Sequence, residues 1–473
     1  MLAAEAAPIV KIGGLGDVLG ALPAALCERG HDVCVAVPHY DIPQLTELEF
    51  HSLTSFQIPW AGDYKLVSIS EWDERGIRIY FIGGEPVTRH TSIYGPGIEV
   101  DGPHFVFYSL AALAAVKEIG FHPDIIHIHD SHPGAAIYWL VLNRKIYSFW
   151  RKSASVLTIH NLPFQNNNAG AALAAAGLAL SDSGDLPEWA RDSLMGLGIK
   201  YADAINAVSP GYAKEILTEE FGAGLDGVLR QREHRLCGIV NGLDYESWNY
   251  ETDRAIHTQF GISDPKGRIE NKTAIQKESD LPESNAPLLG VVSRLDHQKG
   301  FDLLAPAFEQ LASEANVQLV VLGTGEPEIE TTLHELESRF PAQVSVSLRF
   351  DSGLARRIYA GCDLFVMPSR YEPCGIGQMI ALRYGAIPVV RAVGGLNDTI
   401  IDYDADRLKS TGFKFADYSV DALVEALRRA IGIWSDGRRW NPLVQRGMQA
   451  RFSWSIAAQE YERLYERALS PAD

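Results

Sequence analysis

Short apolar runs alternate with amphipathic stretches along almost the whole chain. Residues 1–8 form an apolar run broken by Pro8 and read as a strand. Val18, Leu19, Leu22 and Leu26 then fall on one face at spacings near 3.6, which predicts a helix. Buried-strand candidates follow at 33–37, 64–69 and 77–82. Residues 105–119 read as a helix and 124–130 as a strand ending in polar residues. A helix after Pro133 leads to a strand at 155–159 that ends at His160-Asn161. Strands at 204–208 and 238–240 complete this half, the second ending at Asn241-Gly242. Strands alternating with helices predict a parallel sheet with helices on both faces.

Charged and polar residues dominate from about 250 to 287, and the alternation then restarts. Strands are expected at 288–292, 317–322, 344–348, 364–367 and 387–390, separated by helices at 303–311, 328–339, a stretch ending at Gly361, and 378–384. The tail reads as helical from about 419 to 468. It carries Trp434, Trp440, Trp454 and Tyr461, more aromatics than a solvated tail would, so it should pack across both halves. The Ala-rich segment 169–179 reads as a mobile loop or short helix. The predicted organisation is α/β: a doubly wound domain over 1–249, a second over 250–445, and a C-terminal helix over 446–473 returning to the first. A length of 473 residues suits two or three domains.

Composition narrows the partners. A net charge of −18 argues against nucleic acid or an anionic membrane, both of which need a basic footprint. Cys27, Cys34, Cys237, Cys362 and Cys374 are scattered without a CxxC pair, which suits a reducing compartment without a disulfide framework or structural zinc. With no long apolar run and no recognisable leader, a cytoplasmic protein is expected, or a stromal one if a transit peptide has been removed.

Doubly wound domains bind ligands at the carboxyl ends of their strands, and the polar motifs cluster there. Lys11-Ile12-Gly13-Gly14-Leu15-Gly16-Asp17 joins the first apolar run to a helix, where backbone N–H groups and the helix dipole favour an anion. It fits neither the P-loop nor the dinucleotide fingerprint, and a plain tight turn is the competing reading. Arg294 follows a buried strand with Lys299 five residues on, a pairing suited to a diphosphate and to charge on a phosphate leaving group. In Pro368–Gln378, Glu372 can bind sugar hydroxyls, and Gly375 and Gly377 open a helix. Cys374 reads as a small buried residue. His127, His129, Asp130 and His132 offer hydrogen-bonding groups at a strand end rather than a metal site, and His160-Asn161 and Asn241 are similar.

Taken in order, Lys-x-Gly-Gly-Leu-Gly-Asp, His-x-His-Asp, His-Asn-Leu, Val-Asn-Gly-Leu-Asp, Ser-Arg-Leu-x-x-Gln-Lys-Gly, Glu-Pro-Cys-Gly and Gly-Gly-Leu-x-Asp-Thr resemble the bacterial glycogen synthase and plant or cyanobacterial starch synthase family across essentially the whole chain. The resemblance implies two Rossmann-like domains facing across a deep cleft, the GT-B arrangement. It implies glucose transfer from ADP-glucose to the non-reducing-end 4-hydroxyl of an α-1,4-glucan, with retention and without a metal or other cofactor. Lys11 and the Gly13-Gly14 backbone would bind donor phosphate and sugar, with Asp17 supporting the loop or contacting the nucleotide sugar. Arg294 and Lys299 would hold the diphosphate, Glu372 the glucose hydroxyls, and His160 would sit beside the transferred glucose. Asn241, Gly325, Phe350, Gly375, Ile376, Gly377 and Thr399 would complete the donor side, and Asp130 would face the acceptor.

The chain departs from the family pattern at Ser131, Phe350, Ala355-Arg356 and Gly377, which bears on donor affinity and nucleotide preference. A catalytically weak glucan-binding or priming protein, or a GT-B transferase with another acceptor, stays open on the sequence alone.

Overall fold

The computed structural model describes residues 1–46, 48–74, 76–263 and 266–470. The chain divides into two compact units, Met1–Gly242 with Trp454–Asp473, and Leu243–Ser453. The polar stretch from residue 250 therefore lies inside the second unit. Its start is held there by rings: Arg356 lies over Trp248 at 4.2 Å and Arg383 over Tyr250 at 4.4 Å.

In the first unit the strands are β1 (Cys34–Pro38), β2 (His51–Trp60), β3 (Asp63–Glu74), β4 (Ile77–Gly83), β5 (Ile125–His129), β6 (Ala154–Ile159), β7 (Ala204–Ala207) and β8 (Leu236–Gly238). The expected strand over residues 1–8 is reduced to the short stretch around Leu2. Leu2 N donates to His127 O at 2.8 Å, and Ala36 N donates to Met1 O at 2.8 Å, so this stretch lies parallel between β1 and β5. The order is then β4-β1-(Leu2)-β5-β6-β7-β8, and the direction of strand succession reverses at Leu2 and β5. β1 and β6 are buried along their whole length, as helices on both faces require.

The sheet is mixed, not wholly parallel. β2, β3 and β4 pair antiparallel. A two-residue connection cannot make a parallel crossover: Ala61 (φ 53°) and Gly62 (φ 81°) join β2 to β3 in a tight hairpin turn. β2 was not among the expected strands; its Pro59 is tolerated because β2 is the sheet edge.

In the second unit β9 (Leu288–Val292), β10 (Gln318–Leu322), β11 (Val344–Ser347), β12 (Leu364–Met367), β13 (Ile387–Arg391) and β14 (Phe413–Phe415) pair parallel in the order β11-β10-β9-β12-β13-β14. Renumbered from β9 this is 3-2-1-4-5-6, the Rossmann order, with its switch point between β9 and β12. Leu382, Val390, Val393, Leu396 and Ile400 form a core beneath the helix Gly394–Thr399.

The tail splits at residues 450–453. The helix Val420–Trp434 packs on Phe301–Glu314 in the second unit, whereas Trp454–Leu469 packs on Gly14–Cys27, β6 and β7 in the first. Residues 471–473 of the expected C-terminal helix lie outside the described residues. Among the described residues, no helix is long and apolar enough to cross a membrane.

Candidate active site in two half-sites

Each unit gathers its polar motifs at its own switch point. In the first unit, the helix Gly14–Cys27 begins at the N-cap Gly13. Lys11 Nζ meets Asp17 Oδ1 at 2.6 Å, with both side chains about half exposed. A Cβ on Gly16 would stand 3.0 Å from Lys11 Cγ and 3.2 Å from Glu5 Oε2, so a side chain there would press on both. The Gly13 amide donates to Glu5 Oε2 at 2.9 Å and the Ile12 amide to the same oxygen at 2.6 Å. Gly13 N–H is thus engaged within the protein. The amides left to meet an anion begin at Gly14, which narrows the expected Gly13-Gly14 pair.

Asp130 follows β5 in a left-handed conformation (φ 59°), unusual for a residue with a side chain. Its Oδ1 accepts the amides of His160 at 2.6 Å and Asn161 at 3.1 Å, which locks the end of β6 against the end of β5. Burial raises its carboxyl to about 7, and those two amides partly offset the rise. His129 Nδ1 and His160 Nε2 are 3.0 Å apart, and His127 sits behind His129 with ring centroids 4.1 Å apart. Burial lowers His160 to about 3, so the imidazole is neutral near pH 7 and works as a hydrogen-bonding group rather than a charge. Asn241 is buried, and among the described residues its Oδ1 has no partner, leaving an acceptor at the end of β8. Ser131 donates to Phe164 O at 2.7 Å and serves the loop.

In the second unit the Arg294–Gly300 loop leaves β9 and the Pro368–Gly377 loop leaves β12. Gly300 (φ 76°) makes their approach possible: a Cβ there would stand 2.0 Å from Pro368 O. Arg370 N donates to Gln298 O at 2.8 Å and Gln298 Nε2 to Tyr371 O at 3.2 Å, stapling the two loops together. The staple brings Lys299 Nζ to 2.8 Å from Glu372 Oε2, with only 16% and 7% of the two side chains exposed. Ser369 Oγ donates to the same oxygen at 3.1 Å. Arg294 is 60% exposed and bonds Asp296 at 3.1 Å, so its guanidinium stands at the surface of this half-site.

Several expected donor ligands prove to be occupied internally. The Thr399 hydroxyl donates to Gly395 O at 2.6 Å and accepts from Gln378 Nε2 at 3.1 Å. Gln378, fully buried, also donates to Cys374 O and Gly375 O, so it shapes the loop around Gly375, Ile376 and Gly377. The helix after that loop, Gly377–Arg383, has seven residues, the length expected for 378–384, shifted by one. Gly325 N–H donates to Glu330 at 3.0 Å. Phe350 projects with 93% of its surface exposed. Arg356, a departure from the family pattern, bonds Ser247 O at 2.6 Å and Asp253 at 2.8 Å; its guanidinium ties the start of the unit to the helix Ser352–Gly361. Cys374 is buried. Among the described residues no group of three or more His, Cys, Asp or Glu is placed to hold a metal.

Sequence reasoning missed Glu5, Tyr94, Ser369 and Gln378. Glu5, flanked by alanines in an apolar run, was the available signal: a carboxylate there needs buried donors.

Two Rossmann-like units, each with polar motifs at its switch point, have the fold class of the GT-B glycosyltransferases. Residues 1–231 match the family described as starch synthase catalytic domain, and residues 272–442 match glycosyl transferases group 1. The chain is 40% identical to a glycogen synthase of Moorella thermoacetica, covering 99% of this chain and 96% of that one. It is 38% identical to one of Streptococcus agalactiae over 98% of both. The catalytic domain of starch synthase IV from Arabidopsis thaliana, bound to ADP and acarbose, superposes with a TM-score of 0.88 at 33% identity over 99% of each chain. A sucrose-phosphate synthase from Thermosynechococcus elongatus shares the fold alone, with a TM-score of 0.61 at 20% identity over 98% of each chain. The chain belongs to the glycogen and starch synthase family.

Proposed function

We propose that this chain is a retaining glucosyltransferase that moves glucose from ADP-glucose to the non-reducing-end 4-hydroxyl of an α-1,4-glucan. The observation that carries the reading is the Lys299–Glu372 pair, held at 2.8 Å where the loops after β9 and β12 meet. A diphosphate entering there competes with Glu372 for the ammonium, and Glu372 turns to the glucose hydroxyls. Arg294 supplies a second cation for the departing ADP, and within the first unit Lys11 and the helix-opening amides from Gly14 offer anion-binding chemistry of their own.

Positive charge builds at the anomeric carbon while negative charge builds on the leaving phosphate. A double displacement needs a free carboxylate as nucleophile. Here Asp130 Oδ1 is held by two amides and Glu372 is assigned to the glucose hydroxyls, so neither carboxylate is an obvious nucleophile. Front-face attack therefore fits the site better: the leaving phosphate oxygen accepts the proton of the acceptor hydroxyl as the new glycosidic bond forms on the same face. His160, neutral and oriented by His129, hydrogen-bonds the transferred sugar, and Asp130 sets the acceptor side. We assign Asn241, Phe350 and the Gly375–Gly377 backbone to the donor. Gly325 and Thr399 act as supports.

No step in this scheme needs a metal, so EDTA should leave turnover unchanged, and restoration of a large loss by a divalent ion would overturn that part. We place the reaction in the cytoplasm, where the free cysteines suit a reducing environment. The test is incorporation of label from ADP-[¹⁴C]glucose into glycogen, with UDP-glucose as competitor. Absence of polymer label, with a control synthase active, would refute the proposal.

A further inference from the structure

Glu5 is 2% exposed, between Ala4 and Ala6. Its Oε2 accepts the amides of Ile12 at 2.6 Å and Gly13 at 2.9 Å, and its Oε1 accepts the Tyr94 hydroxyl. A carboxylate directly beneath an anion-binding loop opposes the binding of any phosphate. Its presence therefore needs a geometric reason. An ionised carboxylate accepts at both oxygens and offers no donor of its own, so it can gather three neutral donors from two separate loops. No neutral side chain accepts at both ends.

We infer that Glu5 is the positioning residue of the glycine loop. It fixes the backbone at Ile12 and Gly13, so that the Lys11 amine and the amides from Gly14 onward are preset for the donor phosphate, and it ties the Tyr94 loop to the same frame. The kinetic part of this inference rests on the donor-site reading above; the structural part does not. Tyr94 packs its ring 5.0 Å from His132, so the frame continues to the residues after Asp130.

Amide hydrogen exchange on the ligand-free protein decides the structural part. Ile12 and Gly13 should exchange slowly in the wild type. Glu5→Asp, one methylene too short to reach both amides, should speed them about tenfold. Glu5→Gln keeps one acceptor oxygen and should retain most of the protection. With ADP as the probe, calorimetry should show Kd raised about tenfold or more in Glu5→Asp. With ADP-glucose, kcat/KM should fall about 10- to 100-fold, as a misplacement of about 1 Å implies, and Glu5→Gln should recover most of that loss.

A folded Glu5→Asp with wild-type exchange and wild-type ADP affinity would overturn the inference. Should that variant fail to fold, the wild type still decides: exchange at Ile12 and Gly13 as fast as in an unstructured peptide overturns it. If the wild type binds no ADP, the donor-site reading fails while the exchange data still decide the role of Glu5.

Discussion

Replacing Lys299 with alanine separates the two tasks assigned to that side chain. Without the ammonium, Glu372 keeps, among the described residues, the Ser369 hydroxyl at 3.1 Å, while 7% of its side chain is exposed. Breaking a buried ion pair costs roughly 3–5 kcal/mol. The 16% exposure of Lys299 and the surviving Ser369 bond reduce this, and about 2 kcal/mol is the expected loss of stability. The rate loss has a different origin. Losing a preorganised charge stabiliser of the leaving group lowers kcat roughly 10²- to 10³-fold. The double variant Lys299→Ala with Glu372→Gln removes the uncompensated charge, so it should recover part of the stability and none of the turnover. Chemical denaturation and glucan labelling on the wild type, the two single variants and the double variant complete the cycle. If Lys299→Ala lowers stability but leaves kcat intact, or if the double variant regains turnover, the pair is structural and the catalytic assignment falls.

The other perturbations follow the same separation. Arg356→Ala should cost about 1–3 kcal/mol, because it deletes bonds to Ser247 and Asp253 and a ring contact with Trp248; a large rise in KM for ADP-glucose without a loss of stability would place it in the donor site instead. Lys11→Ala removes an exposed ion pair with Asp17, so stability should change by less than about 1 kcal/mol while kcat falls; an unfolded variant would return the loop to a structural role. The Asp130 carboxyl, raised to about 7, favours folding fully below the ordinary aspartate range, and that stabilisation is lost as pH rises toward 7. The buried histidines act in the opposite sense. His132, lowered to about 4, and His160, lowered to about 3, stay neutral while the unfolded chain takes up protons, so their stabilisation is lost as pH falls below about 6.5. Asp130→Asn should therefore gain stability relative to the wild type between pH 4 and 7, read from denaturation midpoints; a difference that does not vary with pH would refute the raised carboxyl.

The local periodicity of the chain determined most elements, because a strand buried on both faces and a helix with one apolar face leave different marks. It also marked the residues proposed for the chemistry, since Lys11, Asp130, His160, Arg294, Lys299 and Glu372 each follow an apolar run. No strand was expected at β2, and the antiparallel pairing around β3 was missed, because strand direction is set by connection length and pairing partner rather than by composition. Strand order lay beyond the sequence altogether. Only the reversal at β9 and β12 brings Lys299 to Glu372, and only the reversal at Leu2 and β5 joins the glycine loop to Asp130 in one half-site. The same holds for partners. Thr399, Gly13 and Arg356 look in sequence like groups that face a ligand or disturb its binding, yet each is held by Gly395, Glu5 or Asp253. Which partner a hydrogen-bonding group holds, and so what a substrate must displace to reach it, depends on residues distant in the chain.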